Sequence, residues 1–245
     1  MLKKLYRRNE VLFSVAWIVA YCVAMSVADR VSELLKVEKL VTLPVLLIFS
    51  AALFLFVRGN GLCEKYGLCR PRVPAKSVLF YLPLVVIASV NLWLGAAWNH
   101  NLTVTVLYVL SMICVGFVEE LIFRGFLYRA MCQSNKTAAM LVSSMTFGIG
   151  HLVNLFNGSG ETVLSTLLQV CYAMALGFVF VLLFERTGSL LAGVATHSVI
   201  NLLSAFVNQT ALTPQREMLL SLALIVLSAG YALFLLLTWP KKAEK

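Results

Sequence analysis

Residues 103–127 read TVTVLYVLSMICVGFVEELIFRGFL, a long apolar run that ends with two adjacent carboxylates and an arginine. A helix crosses the hydrocarbon core of a bilayer with about 20 mostly apolar residues, so this run predicts a transmembrane helix. Ionisable groups in such a helix cost about 2.5–3.5 kcal/mol each on insertion scales. Glu119, Glu120 and Arg124 are therefore the first candidates for a functional site.

The rest of the chain has the same apolar character. Hydrophobic residues make up 60% of the 245 positions and charged residues 13%, against about 25% charged residues in soluble domains. The apolar runs are continuous rather than alternating, which favours helices over a barrel. We expect an all-α polytopic bundle of about eight transmembrane helices, forming one integral membrane domain over 1–245. The predicted spans are 11–29, 40–58, 77–98, 103–127, 137–156, 162–184, 188–208 and 217–239.

The net charge of +9 would suit nucleic-acid binding, but its distribution predicts no nucleic-acid partner. The basic residues lie in short segments between apolar runs, as the positive-inside rule expects of a membrane protein. With the N-terminus inside, the inner segments hold fifteen Lys and Arg residues and the outer segments hold four. We therefore expect both termini in the cytoplasm of a bacterial cell, with the bilayer as the chain's first partner.

Spacing divides the first polar group into two parts. Glu120 and Arg124 stand at i and i+4 and share a helix face, so we expect them to form a structural ion pair. Glu119 is rotated about 100° from Glu120, which leaves it without a local partner and available as a general base. The alternative is that all three are snorkelling groups at a helix end.

Two further polar groups lie in later spans. His151 follows Phe147 by one turn, and we place it deep in the fifth span, with Phe147 walling one side of a site. His197 and Asn201 stand at i and i+4 in the seventh span, where both can donate hydrogen bonds to a developing oxyanion. Each group alone is compatible with polar contacts between helices. Together with the glutamate pair, they supply the residue types that can activate a water and stabilise a tetrahedral intermediate.

This pattern resembles the CAAX protease and bacteriocin-processing family of intramembrane endopeptidases, also called the Abi family, which includes the type II CAAX prenyl endopeptidases. The family motifs are a double glutamate with arginine at plus four, phenylalanine with histidine at plus four, and histidine with asparagine or aspartate at plus four. The matching positions are Glu119, Glu120 and Arg124, then Phe147 and His151, then His197 and Asn201. The motifs span a core of about 100–205, and the eight expected spans agree with the family.

The resemblance implies a role for each motif. Glu119 and His151 would activate the attacking water, and His197 and Asn201 would stabilise the oxyanion. The second glutamate and the arginine of the first motif would support the site. The implied substrate is a hydrophobic or lipidated peptide, either a prenylated CAAX-type protein or a peptide precursor.

Several alternatives stay open at this point. We favour no cofactor and no metal, because the chain lacks His-Glu-x-x-His, but a zinc ion held by Glu119, His151 and His197 is an alternative. A non-catalytic scaffold or chaperone of the same fold is a second hypothesis, and a proton-coupled transporter is a third. Because Glu119 lies near the cytoplasmic end of its predicted span, we expect the catalytic cavity to open to the cytoplasm.

Overall fold

The structure is a computed structural model that describes residues 2–74, 76–155 and 162–239. Within those ranges the chain is helical, and its one β-type contact is the bridge between Ala96 and Val207. The α-helices are α1 (Leu2–Arg8), α2 (Glu10–Leu34), α3 (Thr42–Gly59), α4 (Val78–Ala88), α5 (Leu102–Glu120), α6 (Arg129–Cys132), α7 (Lys136–Gly150), α8 (Val163–Thr187), α9 (Leu191–Leu203) and α10 (Pro214–Leu237). A π-helical segment (Leu121–Tyr128) joins α5 to α6, and 3-10 turns occupy Val90–Leu92, His151–Leu155 and Ser204–Phe206.

Short polar side chains start five of these helices. Asn9, Asn101, Asn135, Thr162 and Thr213 each accept a hydrogen bond from the backbone N–H three residues later. Such N-caps satisfy one of the four backbone donors that every helix leaves unpaired at its start. In these five cases the capping residue therefore marks where the helix begins.

Six helical segments of the described chain are long and apolar enough to cross a membrane: Glu10–Leu34, Thr42–Gly59, Leu102–Cys132, Lys136–Leu155, Val163–Thr187 and Pro214–Leu237. They support a multi-pass membrane protein. The expected count of about eight is not confirmed, because the third and seventh predicted spans form the shorter apolar helices Leu79–Ala88 and Leu191–Phe206. The third breaks into a 3-10 turn at Val90 and a turn at Gly95, whose φ is +88°.

The segment that carries the first motif is longer than predicted. The apolar helix continues beyond residue 127 through the π-helical turns to Cys132, so Glu119 lies in the middle of the span rather than near its end. All eight residues from Leu121 to Tyr128 are buried. The snorkelling alternative is therefore wrong for Arg124, whose side chain is fully buried.

The bundle is organised around two apolar clusters. One joins α2, α3, α5, the π-helical segment and α7, and the other joins α4, α8, α9 and α10. Large apolar side chains are exposed on the outer surface, as in Val19 and Val23 of α2, which are 57% and 59% accessible. A lipid-facing surface has this character. The two clusters meet around α5 and α9, where the predicted polar residues lie.

Candidate active site

Five of the seven predicted residues line one cavity of about 580 Å³: Glu119, Phe147, His151, His197 and Asn201. They come from α5, α7 with the turn that follows it, and α9. The remaining two, Glu120 and Arg124, are fully buried behind the cavity wall. The structure thus brings together residues that are up to 82 positions apart in the chain, from Glu119 to Asn201.

Glu120 is the central acceptor behind the wall. Arg124 Nη1 donates to Glu120 Oε1 at 2.9 Å, which is the ion pair that the i, i+4 spacing predicted. His197 Nδ1 lies 3.0 Å from the same oxygen. With a carboxylate at that distance, Nδ1 carries the proton and donates it, as in the carboxylate–histidine pairs that orient catalytic imidazoles. Glu120 therefore fixes the ring of His197 and directs its Nε2 away from the ion pair.

The guanidinium of Arg124 lies between two aromatic rings. Its central carbon is 4.0 Å from the ring centroid of Phe147 and 5.6 Å from that of Phe180. Nε and Nη2 have no hydrogen-bond partner among the described residues, so the π faces supply most of the remaining stabilisation of the buried charge. A Cβ at Gly177 would lie 2.7 Å from Nη2, so only glycine leaves room for the guanidinium there.

Phe147 and Phe180 also hold His197. The Phe180 ring stacks on the imidazole with centroids 6.0 Å apart and planes 24° apart, and Phe147 meets it edge-on at 5.5 Å. Phe147 thus contacts both the arginine and the histidine as well as lining the cavity. Phe180 was missed by the sequence reasoning, because an aromatic residue in an apolar span carries no local signal of a polar neighbour.

Glu119 faces the cavity and has a partner from the first long helix. Tyr21 of α2 donates its hydroxyl to Glu119 Oε1 at 2.8 Å. His197 Nε2 lies 3.6 Å from Glu119 Oε2, beyond normal hydrogen-bond length. Sequence reasoning missed Tyr21, which precedes Glu119 by 98 residues, although a phenol inside an apolar run is a signal of a buried polar contact.

His151 occupies a different place from the one predicted. It does not lie in the middle of a helix, because α7 ends at Gly150 and His151 opens the 3-10 turn. Its ring meets that of Phe147 edge-on with centroids 5.5 Å apart, and within the described chain it makes no hydrogen bond. Two glycines, Gly148 and Gly150, precede it, and a Cβ at Gly148 would clash with the backbone of α8. The imidazole nitrogens of His151 are thus available to groups in the cavity.

Asn201 follows His197 by one turn of α9 and lines the cavity. Its backbone carbonyl accepts a hydrogen bond from Ser204, while Asn91 donates to the neighbouring carbonyl of Ile200 at 2.7 Å. These contacts fix the end of α9 with the Asn201 amide on the cavity side. His197 and Asn201 thus lie one turn apart on one face of α9 and both line the cavity, as the i, i+4 spacing predicted.

Helices α5 and α9 touch most closely beside the two carboxylates. A Cβ at Gly116 would lie 2.2 Å from the Ser198 hydroxyl and 2.8 Å from the Ser198 backbone nitrogen. Gly116 precedes Glu120 by one turn, and Ser198 follows His197 directly. A residue without a side chain at this point lets α9 approach α5 until His197 reaches Glu120, as small residues do in membrane bundles.

The predicted zinc ligands do not converge in this arrangement. Glu119, His151 and His197 line the same cavity, but the described residues contain no group of three His, Cys, Asp or Glu side chains that could hold a metal ion. The geometry of these three side chains does not fit a zinc site.

The direction of the cavity disagrees with the expected cytoplasmic opening. The cavity-lining residues of α2 run from its middle toward its C-terminal end, from Tyr21 to Asp29, and Lys39 and Thr42 follow, the latter at the start of α3. In the helical segment Leu102–Cys132 most lining residues lie in the N-terminal half, which is the end opposite α1 if successive helices alternate in direction. The predicted cytoplasmic termini and the predicted cytoplasmic opening therefore exclude each other.

Comparison with known proteins agrees with the motifs. Residues 100–203 match the family model described as "Type II CAAX prenyl endopeptidase Rce1-like". This region contains every motif position and the segments that carry them, and the match confirms the resemblance to the CAAX protease family. No curated protein and no solved structure matches the chain significantly.

Proposed function

We propose that this chain, assigned to the CAAX protease family, is an intramembrane endopeptidase that cleaves membrane-associated peptides with a water activated by Glu119. The observation that carries the proposal is the unequal environment of the two adjacent carboxylates. Glu120 is fully buried and bound to Arg124 and His197, whereas Glu119 lines the cavity. One carboxylate is thus structural and the other is placed to meet a water and a substrate.

The first step is proton transfer from water to Glu119. The hydroxide that forms attacks the carbonyl carbon of the scissile peptide bond, and the carbonyl oxygen takes up the negative charge. The Tyr21 hydroxyl holds Oε1 of Glu119, which leaves Oε2, on the His197 side, to receive the proton. His151 lines the same cavity with both ring nitrogens free of hydrogen bonds within the described chain and would orient the water.

In this mechanism His197 and Asn201 stabilise the oxyanion. To donate from Nε2 while Nδ1 donates to Glu120, the imidazole of His197 must be protonated on both nitrogens. Each of those nitrogens faces a carboxylate oxygen, of Glu119 at 3.6 Å and of Glu120 at 3.0 Å. In the last step Glu119 returns its proton to the leaving amine, so the enzyme recovers its starting state.

The substrate proposed from the family is a hydrophobic or lipidated peptide of the prenylated CAAX or peptide-precursor type. The cavity lining supports a peptide substrate, since it contains apolar side chains such as Met112, Leu176 and Leu224 together with polar ones such as Gln169 and Asn91. A chain that must enter a membrane bundle needs both surfaces, because its side chains are apolar and its backbone is polar.

The test compares peptide termini in host membranes that contain the wild type, Glu119→Gln or Glu33→Gln at equal abundance. Glu119→Gln keeps the shape of the side chain and an acceptor for Tyr21 but removes the base, so we expect specific termini to fall at least 10²-fold. Glu33 is an exposed carboxylate paired with Arg30 outside the cavity, and its variant should match the wild type. Identical termini in all three membranes, with the wild type still needed for a cellular phenotype, would favour the non-catalytic scaffold.

A further inference from the structure

The cavity lies toward one end of the bundle. Its lining residues lie from the middle to the C-terminal end of α2, α7 and α9, at the start of α3 and in the N-terminal half of α10. In α8 and in the helical segment Leu102–Cys132, which contains α5, most of them lie in the N-terminal half. Because the helices alternate in direction, these halves all lie on one face of the bundle. We call this face, with the segments 35–41, 89–101 and 204–213, the open face.

The other end of the cavity is closed by packed side chains. Leu121, Ile122 and Tyr128 follow Glu119 in the π-helical segment, and none of them has accessible surface. Tyr66 from the 60–77 segment packs edge-on against Phe126 with ring centroids 4.8 Å apart, which adds a further layer. We call this second face, which also holds α1 and the end of α10 at Leu237, the closed face. Within the described residues the packed layer separates Glu119 from this face, so a peptide would reach Glu119 from the open face.

Polar groups at the entrance are bound to one another. Asp29 accepts hydrogen bonds from Lys39 at 2.9 Å and from Thr42 at 2.6 Å, and Ser165 donates to Glu217. All five residues line the cavity. The passage from the open face to the catalytic carboxylate is therefore polar at its rim, as an entrance in contact with water requires.

The two faces differ sharply in charge. Among the described residues the closed face carries twelve Lys and Arg residues and three Asp and Glu residues, whereas the open face carries four of each kind. Cytoplasmic loops of membrane proteins are rich in Lys and Arg, so the closed face belongs in the cytoplasm. We infer that the cavity opens on the non-cytoplasmic side, so the substrate is a membrane-associated peptide segment exposed there rather than a cytoplasmic C-terminal tail.

The statement about the substrate rests on the proposed protease function, whereas the statement about the side on which the cavity opens does not. Of the two proposed substrate types the inference retains the peptide precursor, as a polypeptide whose cleavage site has been carried across the membrane or is anchored in the outer leaflet, and it excludes a prenylated cytoplasmic tail. A peptide at the cytoplasmic surface would meet the closed face, where Leu121, Ile122 and Tyr128 separate it from Glu119.

Cysteine labelling in intact cells tests the inference. Gln209→Cys places a thiol at the exposed cavity entrance, and Arg70→Cys places one at an exposed site of the closed face, each in a chain whose six native cysteines are replaced. A membrane-impermeant maleimide should label Gln209→Cys in intact cells and Arg70→Cys only in inverted vesicles. The same two variants in the native-cysteine chain, with labelling of the unsubstituted protein subtracted, give a second measurement if the cysteine-free chain does not fold.

The reverse labelling pattern would overturn the inference. Labelling does not depend on catalysis, so that result would leave the proposed protease intact and move its substrate to the cytoplasmic side. Conversely, the expected labelling with no Glu119-dependent cleavage would reject the protease and keep the geometry. In an active chain, maleimide added outside intact cells should also block Glu119-dependent cleavage at least tenfold in Gln209→Cys but leave Arg70→Cys unaffected.

Discussion

The contact between Gly116 and Ser198 sets the distance between the helices that carry the carboxylates and the histidine. Gly116→Ala adds one methyl group at the closest approach of α5 and α9. That methyl group would lie 2.8 Å from the backbone nitrogen of Ser198 and 3.0 Å from its Cα. The Ser198 hydroxyl, at 2.2 Å, can rotate away, but the backbone atoms can move only with the helix.

The size of the shift follows from these distances. A Cβ reaches ordinary contact at about 3.4 Å, so α9 must retreat by about 0.6 Å at Ser198. His197, the preceding residue, moves with it, and its 3.0 Å hydrogen bond to Glu120 lengthens to about 3.6 Å, beyond hydrogen-bond range. Misplacement of catalytic groups by about 1 Å can cost about 10²-fold in rate, so we expect cleavage to fall about 10- to 100-fold.

Stability should change much less than activity. Overpacking a tight contact costs about 1–3 kcal/mol, and alanine recovers about 1 kcal/mol through its higher helix propensity. The net loss of about 0–2 kcal/mol should leave a folded protein. The assay measures Glu119-dependent termini in membranes together with the thermal midpoint of the purified protein in detergent.

Gly230→Ala in α10 is the matched control. No atom lies within 4 Å of a Cβ built at Gly230, so this variant makes the same chemical change without a contact and should keep full activity. If Gly116→Ala retains wild-type cleavage and thermal stability, the close approach of α5 and α9 does not set the geometry of the site. A Gly116→Ala chain that fails to fold would contradict the expected loss of about 0–2 kcal/mol, because α9 would then be unable to shift away from the added methyl group.

Three further predictions test other parts of the site. Tyr21→Phe removes the hydrogen bond to Glu119, a charged contact of about 1.5–3 kcal/mol, and should lower kcat about tenfold or more with KM unchanged. Tyr231→Phe, which loses a buried hydrogen bond to the backbone carbonyl of Phe80, should lower stability alone. Gly177→Ala places a methyl group 2.7 Å from Arg124 Nη2 and should lower both the thermal midpoint and the cleavage activity. If neither quantity changes, the guanidinium of Arg124 is not confined by Gly177. Chelators such as EDTA and phenanthroline should leave Glu119-dependent cleavage unchanged, because the predicted zinc ligands do not converge; inhibition that zinc reverses would contradict this geometry.

The motif positions could be predicted because their signals are local. Glu120 and Arg124 share a helix face by spacing alone, and their ion pair is present in the structure. Charged groups inside an apolar run are rare enough that their presence indicates a function. The catalytic roles of Glu119, His151, His197 and Asn201 stay predictions that the variants above test.

Other parts of the site have no local signal. Tyr21 and Phe180 are ordinary aromatic residues of apolar spans, and their contacts with Glu119 and His197 join helices far apart in the chain. The end of α7 before His151 was also not predicted, because an apolar run does not show where a helix becomes a 3-10 turn. Such contacts depend on packing between helices rather than on spacing within one.

The sequence by itself determined the helical membrane class, the composition of the site and the charge asymmetry between the two faces, because hydropathy and spacing act within a single helix. Only the tertiary structure decided that Glu120 is sealed behind the wall while Glu119 faces the cavity, since burial depends on which helices pack against each face. It also decided that the polar cavity rim of Asp29, Lys39 and Thr42 lies at the end of α2 opposite α1. The packed layer from Leu121 to Tyr128 closes one end, and no pattern within a single helix records which end its neighbours leave open.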